Sequence, residues 1–76
     1  MSKYIVIMWT RYDDEVRIRQ FDTESEAQDF MKTDYEEVYI NETEYNEIYD
    51  NYIDKTKAKI ETNGEIFLWQ IEEIKF

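Results

Sequence analysis

The sequence predicts a small α+β domain, with an antiparallel sheet of four to five strands and two helices in the order ββαβαββ. Three observations support this prediction: an apolar run followed by an alternating segment, a helix-capping pattern, and an Asn-Gly pair between two strand-like segments. The chain has 76 residues, which corresponds to one domain over residues 1–76. Because it has no cysteine, neither disulfides nor thiolate-bound metals contribute to its stability.

The first two elements are predicted to form a β-hairpin. Residues 3–11 have the continuous apolar centre IVI, which is typical of a strand covered on both faces. In residues 15–21, valine and isoleucine alternate with two arginines, which predicts one core face and one basic face. The acidic tip at residues 12–14 is expected to be the turn between them.

Two helices and a short strand are predicted in the middle of the chain. A helix over residues 23–33 begins with a capping box, in which Thr23 and Glu26 satisfy free backbone N–H groups. A brief strand is expected at residues 36–40. A second helix is predicted at residues 43–55, because tyrosines and isoleucines recur there at spacings of three and one residues and share one continuous arc.

A second β-hairpin is predicted at the end of the chain. The pair Asn63-Gly64 suits a two-residue type I′ turn, in which both residues have positive φ. The last strand is apolar on both faces, so it is expected to be central, beside the first strand. The adjacent Glu72-Glu73 is expected to mark a bulge or the end of the strand. Counting outward from the turn predicts these cross-strand pairs: Ile60 with Phe67, Ala58 with Trp69, Lys59 with Leu68 and Glu61 with Ile66.

The net charge of −10 is concentrated in one segment. Residues 34–54 contain eight carboxylates and five tyrosines, and neither lysine nor arginine. Membrane surfaces and nucleic acids are anionic and are therefore not expected to bind directly, whereas a basic protein surface is complementary. The apolar run at residues 4–9 is too short to span a membrane, so a cytoplasmic protein is expected.

The carboxylates of this segment are the candidate partner-binding residues. On the predicted second helix, four of them lie opposite the tyrosines and form a ridge, with steps of about 4.5–6 Å between successive charges. Phosphates of duplex DNA follow one another at about 3.4 Å along each strand. The ridge is free for a partner unless Arg17, Arg19 or Lys57 folds over it. The eight candidates are Asp34, Glu36, Glu37, Glu42, Glu44, Glu47, Asp50 and Asp54.

In size, charge and acidic block, the chain resembles the small acidic proteins that phages use as nucleic-acid mimics, including some anti-CRISPR proteins and inhibitors of restriction or repair. The resemblance extends to no family motif. It implies a protein that inhibits a nucleic-acid-binding enzyme by occupying its basic groove, in the cytoplasm of the host cell.

The alternative is a small protein–protein interaction module, or a homodimer, that uses the apolar sheet face carrying Ile66 and Leu68. The acidic helix face is then merely solvated. An enzyme is not expected, because without histidine the serines have no usual base to activate them. The acidic residues 13–15 lack the alternating spacing of a calcium loop, so neither a metal nor another cofactor is predicted.

Overall fold

The computed structural model describes residues 1–76 and contains five strands and one helix. The α+β class is therefore as predicted, whereas the order ββαβαββ with two helices is wrong. The elements are β1 (Ser2–Thr10), β2 (Glu15–Phe21), α1 (Glu24–Tyr45), β3 (Ile48–Ile53), β4 (Lys57–Thr62) and β5 (Ile66–Lys75).

The strands form one antiparallel sheet in the order β2-β1-β5-β4-β3. The last strand is central and lies beside the first, which confirms the prediction from its two apolar faces. The pairing of β1 with β5 runs without interruption from Ser2↔Lys75 to Thr10↔Phe67. The bulge or strand end expected at Glu72-Glu73 is therefore wrong, because β1 continues alongside and supplies a partner for the backbone there.

The C-terminal hairpin has the predicted register, and all four predicted cross-strand pairs are confirmed. Its turn differs from the prediction, because neither Asn63 nor Gly64 has a positive φ. The Thr62 hydroxyl oxygen instead accepts hydrogen bonds from the backbone N–H groups of Gly64, at 3.1 Å, and Glu65, at 2.9 Å. A side chain thus satisfies these groups, and the type I′ backbone is not required.

α1 begins where the capping pattern predicts. The Thr23 hydroxyl oxygen accepts a hydrogen bond from the Glu26 backbone N–H at 3.2 Å. The Glu26 carboxylate accepts from the Thr23 hydroxyl at 3.0 Å and not from a backbone N–H, so only half of the predicted capping box forms. The helix then continues for 22 residues, so the predicted end at residue 33 and the strand at residues 36–40 are wrong. No glycine or proline interrupts this stretch, and buried Ala27, Met31 and Tyr35 recur every four residues on one side.

The predicted second helix at residues 43–55 is also wrong, because its second half is β3. β3 pairs with β4, and the register shifts between Ile48 and Asp50. This irregularity adds one residue to the strand and breaks its period of two. Ile48 and Ile53, five residues apart, therefore both lie on the helix side of the sheet, whereas Tyr52 lies on the opposite side. The helix-like spacing of the apolar residues thus combines both faces of a strand.

The helix covers only one face of the sheet. The core lies between them and contains nine buried residues: Val6, Met8, Ala27, Met31, Tyr35, Ala58, Ile60, Trp69 and Ile71. Trp69 is 2% exposed, and the edge of its ring meets Tyr35 with centroids 5.7 Å apart. This pair joins the middle of α1 to the central strand.

The opposite face of the sheet has no covering layer, and this overturns two expectations. The first strand was expected to be covered on both faces, but Ile5 and Ile7 are only half-buried. Val16 and Ile18 of β2 were expected to form a core face, yet they are 54% and 61% exposed. Arg17 and Arg19, which alternate with them, lie on the helix side, where the Arg19 guanidinium stacks 5.4 Å from the Phe30 ring centroid.

Glu65 joins the two turns at one end of the sheet. It is buried, and its Oε1 accepts hydrogen bonds from the backbone N–H groups of Tyr12, at 2.8 Å, and Ile66, at 2.9 Å. Burial by itself raises the pKa of this carboxyl, but hydrogen bonds from the backbone N–H groups of Tyr12, Ile66 and Asp13 outweigh burial. The pKa of Glu65 is therefore held below its usual value.

A depressed pKa in the folded state makes the stability depend on pH. The contribution of Glu65 is complete above the unfolded value of about 4.3 and is lost as the pH falls through the lower folded value. We expect Glu65→Gln to lower the free energy of unfolding at pH 7 by about 1–2 kcal/mol and to flatten its fall below about pH 4.5. Urea denaturation at a series of pH values measures both effects.

Glu44→Gln is the matched control, because Glu44 is exposed and its side chain has no hydrogen bond in the structure. It is expected to change the free energy of unfolding by less than about 0.5 kcal/mol at pH 7. Equal effects of the two substitutions at pH 7 would contradict the role given to Glu65.

Candidate functional site

The eight candidate carboxylates do not lie on one helix. Five of them belong to α1, while Glu47 follows the helix, Asp50 lies in β3 and Asp54 follows β3. The ridge expected from Glu44, Glu47, Asp50 and Asp54 does not form, because α1 ends at Tyr45 and the following residues become extended. The candidates are therefore divided between α1 and the region around β3, which is an edge strand of the sheet.

Asp34 is bound within the protein. Its Oδ2 accepts a hydrogen bond of 2.9 Å from the indole Nε1 of Trp69. At the next residue, the hydroxyl of Tyr35 accepts a hydrogen bond of 2.8 Å from the side-chain amide of Asn51. Two adjacent residues of α1 are thus hydrogen-bonded to β5 and to β3. The carboxylate of Asp34 therefore helps to hold the helix against the sheet.

Three further candidates have partners within the chain. The carboxylate of Glu42 accepts a hydrogen bond from the Asn46 side chain at 3.1 Å. Asp54 Oδ1 accepts from the backbone N–H groups of Thr56, at 3.0 Å, and Lys57, at 3.2 Å, which closes the turn between β3 and β4. These two carboxylates therefore have local structural roles.

Asp50, the third, pairs with Lys59. The Lys59 ammonium lies 3.2 Å from Glu61 and 3.4 Å from Asp50. Hydrogen bonds with the side chains of Glu61 and then Asp50 raise the pKa of Lys59. Sequence reasoning missed this cation, since it considered Arg17, Arg19 and Lys57 as possible neutralising groups.

Those three cations form no ion pair with residues 34–54. Arg17 lies 3.9 Å from Glu15, Arg19 stacks on Phe30, and Lys57 has no carboxylate within 4.0 Å. Both arginines line a cleft of about 290 Å³ between β2 and α1, together with Asp34 and Glu37. No ion pair crosses this cleft.

The helix itself is the most acidic part of the molecule. Its 22 residues contain eight carboxylates and one lysine, which gives a net charge of −7. Every ion pair in the structure lies outside it, so that no helix carboxylate is neutralised within the chain. We call the five exposed carboxylates that share one side of α1 the acidic helix face: Glu26, Asp29, Glu36, Glu37 and Glu44.

The acidic helix face is a continuous surface. At about 100° per residue, its five members fall within an arc of about 100°, opposite the buried side of α1. From Glu26 to Glu44 it extends about 27 Å along the helix axis. Sequence reasoning missed Glu26 and Asp29, because the helix was expected to end before the acidic block began.

Comparisons of the chain with protein-family models, curated proteins and solved structures found no match. The single helix, α1, is too polar to cross a lipid bilayer. The structure contains no group of three or more acidic side chains placed to bind a metal ion.

The internal role of Asp34 predicts a difference between neighbouring carboxylates of α1. Asp34→Ala is expected to lower the free energy of unfolding by about 1–2 kcal/mol, because the buried indole N–H of Trp69 loses its acceptor. Glu37→Ala, one turn further along the helix and exposed, is the control and is expected to change it by less than about 0.5 kcal/mol. Urea denaturation of both variants at pH 7 tests this difference, and equal losses would contradict it.

Proposed function

We propose that this protein is an acidic binding protein that inhibits a nucleic-acid-binding enzyme by occupying its basic groove as a nucleic-acid mimic. The observation that carries the proposal is the acidic helix face, whose carboxylates have no ion-pair partner in the chain. Unpaired like charges on one helix oppose folding by mutual repulsion. A basic partner relieves this repulsion when it binds.

The geometry of the helix suits such a groove. The helix fixes the backbone positions of its carboxylates, so the backbone loses little conformational freedom when arginine and lysine side chains bind them. The acidic helix face extends about 27 Å, which corresponds to about eight phosphates along one strand of duplex DNA. Arginines that bind phosphates with two hydrogen bonds bind carboxylates in the same way.

Two exposed tyrosines belong to the same helix, outside the arc of the acidic helix face. Tyr39 lies on α1 and Tyr45 ends it, with exposed fractions of 36% and 81%. Glu47 is exposed just beyond the end of the helix. Tyrosine is a rigid side chain on which an arginine guanidinium can stack, and it is common among residues that dominate binding energy. Tyr39 and Tyr45 can therefore add aromatic contacts with a partner to the ionic contacts of the carboxylates.

The proposal predicts that partner binding depends on the carboxylates of the acidic helix face and not on the net charge of the protein alone. The test variant combines Asp29→Asn, Glu36→Gln, Glu37→Gln and Glu44→Gln. The control combines Asp13→Asn, Asp14→Asn, Glu72→Gln and Glu73→Gln, which removes the same number of exposed carboxylates away from α1. Both variants change the net charge from −10 to −6.

Each protein is immobilised and exposed to bacterial lysate at low salt, and retained proteins are eluted with a salt gradient. We expect the natural chain and the control to retain nucleic-acid-binding enzymes that elute below about 0.5 M salt and are displaced by added DNA or RNA. We expect the test variant not to retain these enzymes. We also expect the purified natural chain to inhibit the activity of the enzymes that it retains.

The proposal fails if the test variant retains the same proteins as the natural chain, or if nucleic acid does not displace them. Retention that is insensitive to salt and to the four substitutions favours the alternative, an interaction module with a merely solvated acidic face.

A further inference from the structure

One face of the sheet lacks a covering layer, and it carries an apolar strip along three adjacent strands. We call this surface the open sheet face. Val16 and Ile18 are more than half exposed there, and Trp9 is 37% exposed. The apolar strip comprises Val16 and Ile18 of β2, Ile5, Ile7 and Trp9 of β1, and Ile66, Leu68 and Ile74 of β5.

We infer that the open sheet face is the interface of a homodimer, in which a second copy of this chain packs face to face against it. The inference is independent of the proposed function, because it concerns the opposite side of the molecule from the acidic helix face. Exposed apolar patches of this extent on small proteins mark interaction surfaces. Three properties of the face favour a second copy as its occupant.

The first property is charge. Most of the negative charge lies on α1, so two copies that meet through their sheets keep their helices on the outside and far apart. The open sheet face has equal numbers of cations and carboxylates, which allows it to face its own copy without net repulsion. Its charged members are Lys3, Lys57, Lys59, Asp50, Glu61 and Glu72.

The second property is shape. A recess of about 440 Å³ on this face is lined mainly by apolar side chains, among them Trp9, Val16, Tyr52 and Leu68. A two-fold axis brings the same surface of both copies together, so an apolar strip meets an apolar strip. The exposed Ile18 and Trp9 of one copy then lie against the strip of the other.

The third property is size. The chain measures 42 × 21 × 15 Å, and the shortest extent is that of one helix layered on one sheet. The remaining two extents outline a face of about 880 Å². A standard interface buries about 800 Å² on each partner. An interface of standard size therefore requires nearly the whole open sheet face, including the parts on β4 and β3.

Pairing through β2, the edge strand that carries part of the apolar strip, is less favourable than packing through the face. If β2 paired antiparallel with its own copy about Ile18, Arg17 would lie directly opposite Arg19 of the second copy. Like charges in directly opposite positions destabilise a strand pair, and charged side chains protect sheet edges in this way. The apolar strip is thus expected to be buried face to face.

Sedimentation equilibrium over a range of concentrations tests the inference. We expect the natural chain to sediment at twice its monomer mass with a Kd in the micromolar range or tighter, at both low and high salt. Ile18→Glu is expected to raise the Kd at least about 100-fold, since it places an unpaired charge in the interface. Ile40→Glu is the matched control, because Ile40 lies on α1 and is 60% exposed, against 61% for Ile18. It is expected to leave the dimer intact.

Val16→Thr keeps the shape of the side chain and its preference for strands, and it tests the inference even if Ile18→Glu perturbs folding. It is expected to raise the Kd several-fold with an unchanged far-UV circular dichroism spectrum. A natural chain that remains monomeric at about 100 µM overturns the inference and leaves the face to another occupant. A dimer that dissociates in high salt, survives both Ile18→Glu and Val16→Thr, or is lost in Ile40→Glu overturns it as well.

Discussion

The packing of α1 across one face of the sheet, around Trp69, is the constraint on which the other features depend. Trp69 lies on a central strand and is almost fully buried, so its indole N–H requires an acceptor inside the protein. Asp34 provides it from the middle of the helix. This bond, together with the contact between Tyr35 and Trp69, fixes which side of α1 faces inward.

Once that side is fixed, the two outer surfaces of the molecule follow. The inward side of α1 holds its alanine, methionine and first tyrosine, so the remaining positions face outward and carry most of the carboxylates. A single helix covers a single face, which leaves the apolar strip of the other face open. The protein is therefore acidic on one side and apolar on the other. In a face-to-face dimer, both acidic helix faces remain on the outside and available to partners.

The features that the sequence predicts correctly are those that depend on residues close together in the chain. The cap at Thr23 and both hairpins, including the register of β4 with β5, rest on local patterns that the structure confirms. The end of α1 has no such signal, because no glycine or proline lies near Asn46. In β3, apolar residues on both faces of the strand happen to follow the spacing of a helix, and the irregular register conceals the period of two.

The candidate site was predictable only in part, because the roles of its carboxylates depend on distant partners. Asp34 and Trp69 are 35 positions apart, and no pattern in the sequence connects them. Likewise, the alternation of Val16 and Ile18 with arginine shows that β2 has two different faces, but not which of them the helix covers. Phe30 settles this by stacking against Arg19 on the helix side.

The most direct test of this account is a double-mutant cycle between Asp34 and Trp69. Asp34→Ala removes the acceptor, and Trp69→Phe removes the donor while keeping an aromatic ring in the core. The free energies of unfolding of the natural chain, both single variants and the double variant give the coupling between the two side chains. The account predicts a coupling of about 1–2 kcal/mol, so that Asp34→Ala costs little once Trp69 is phenylalanine. Additive losses, with a coupling near zero, would contradict it.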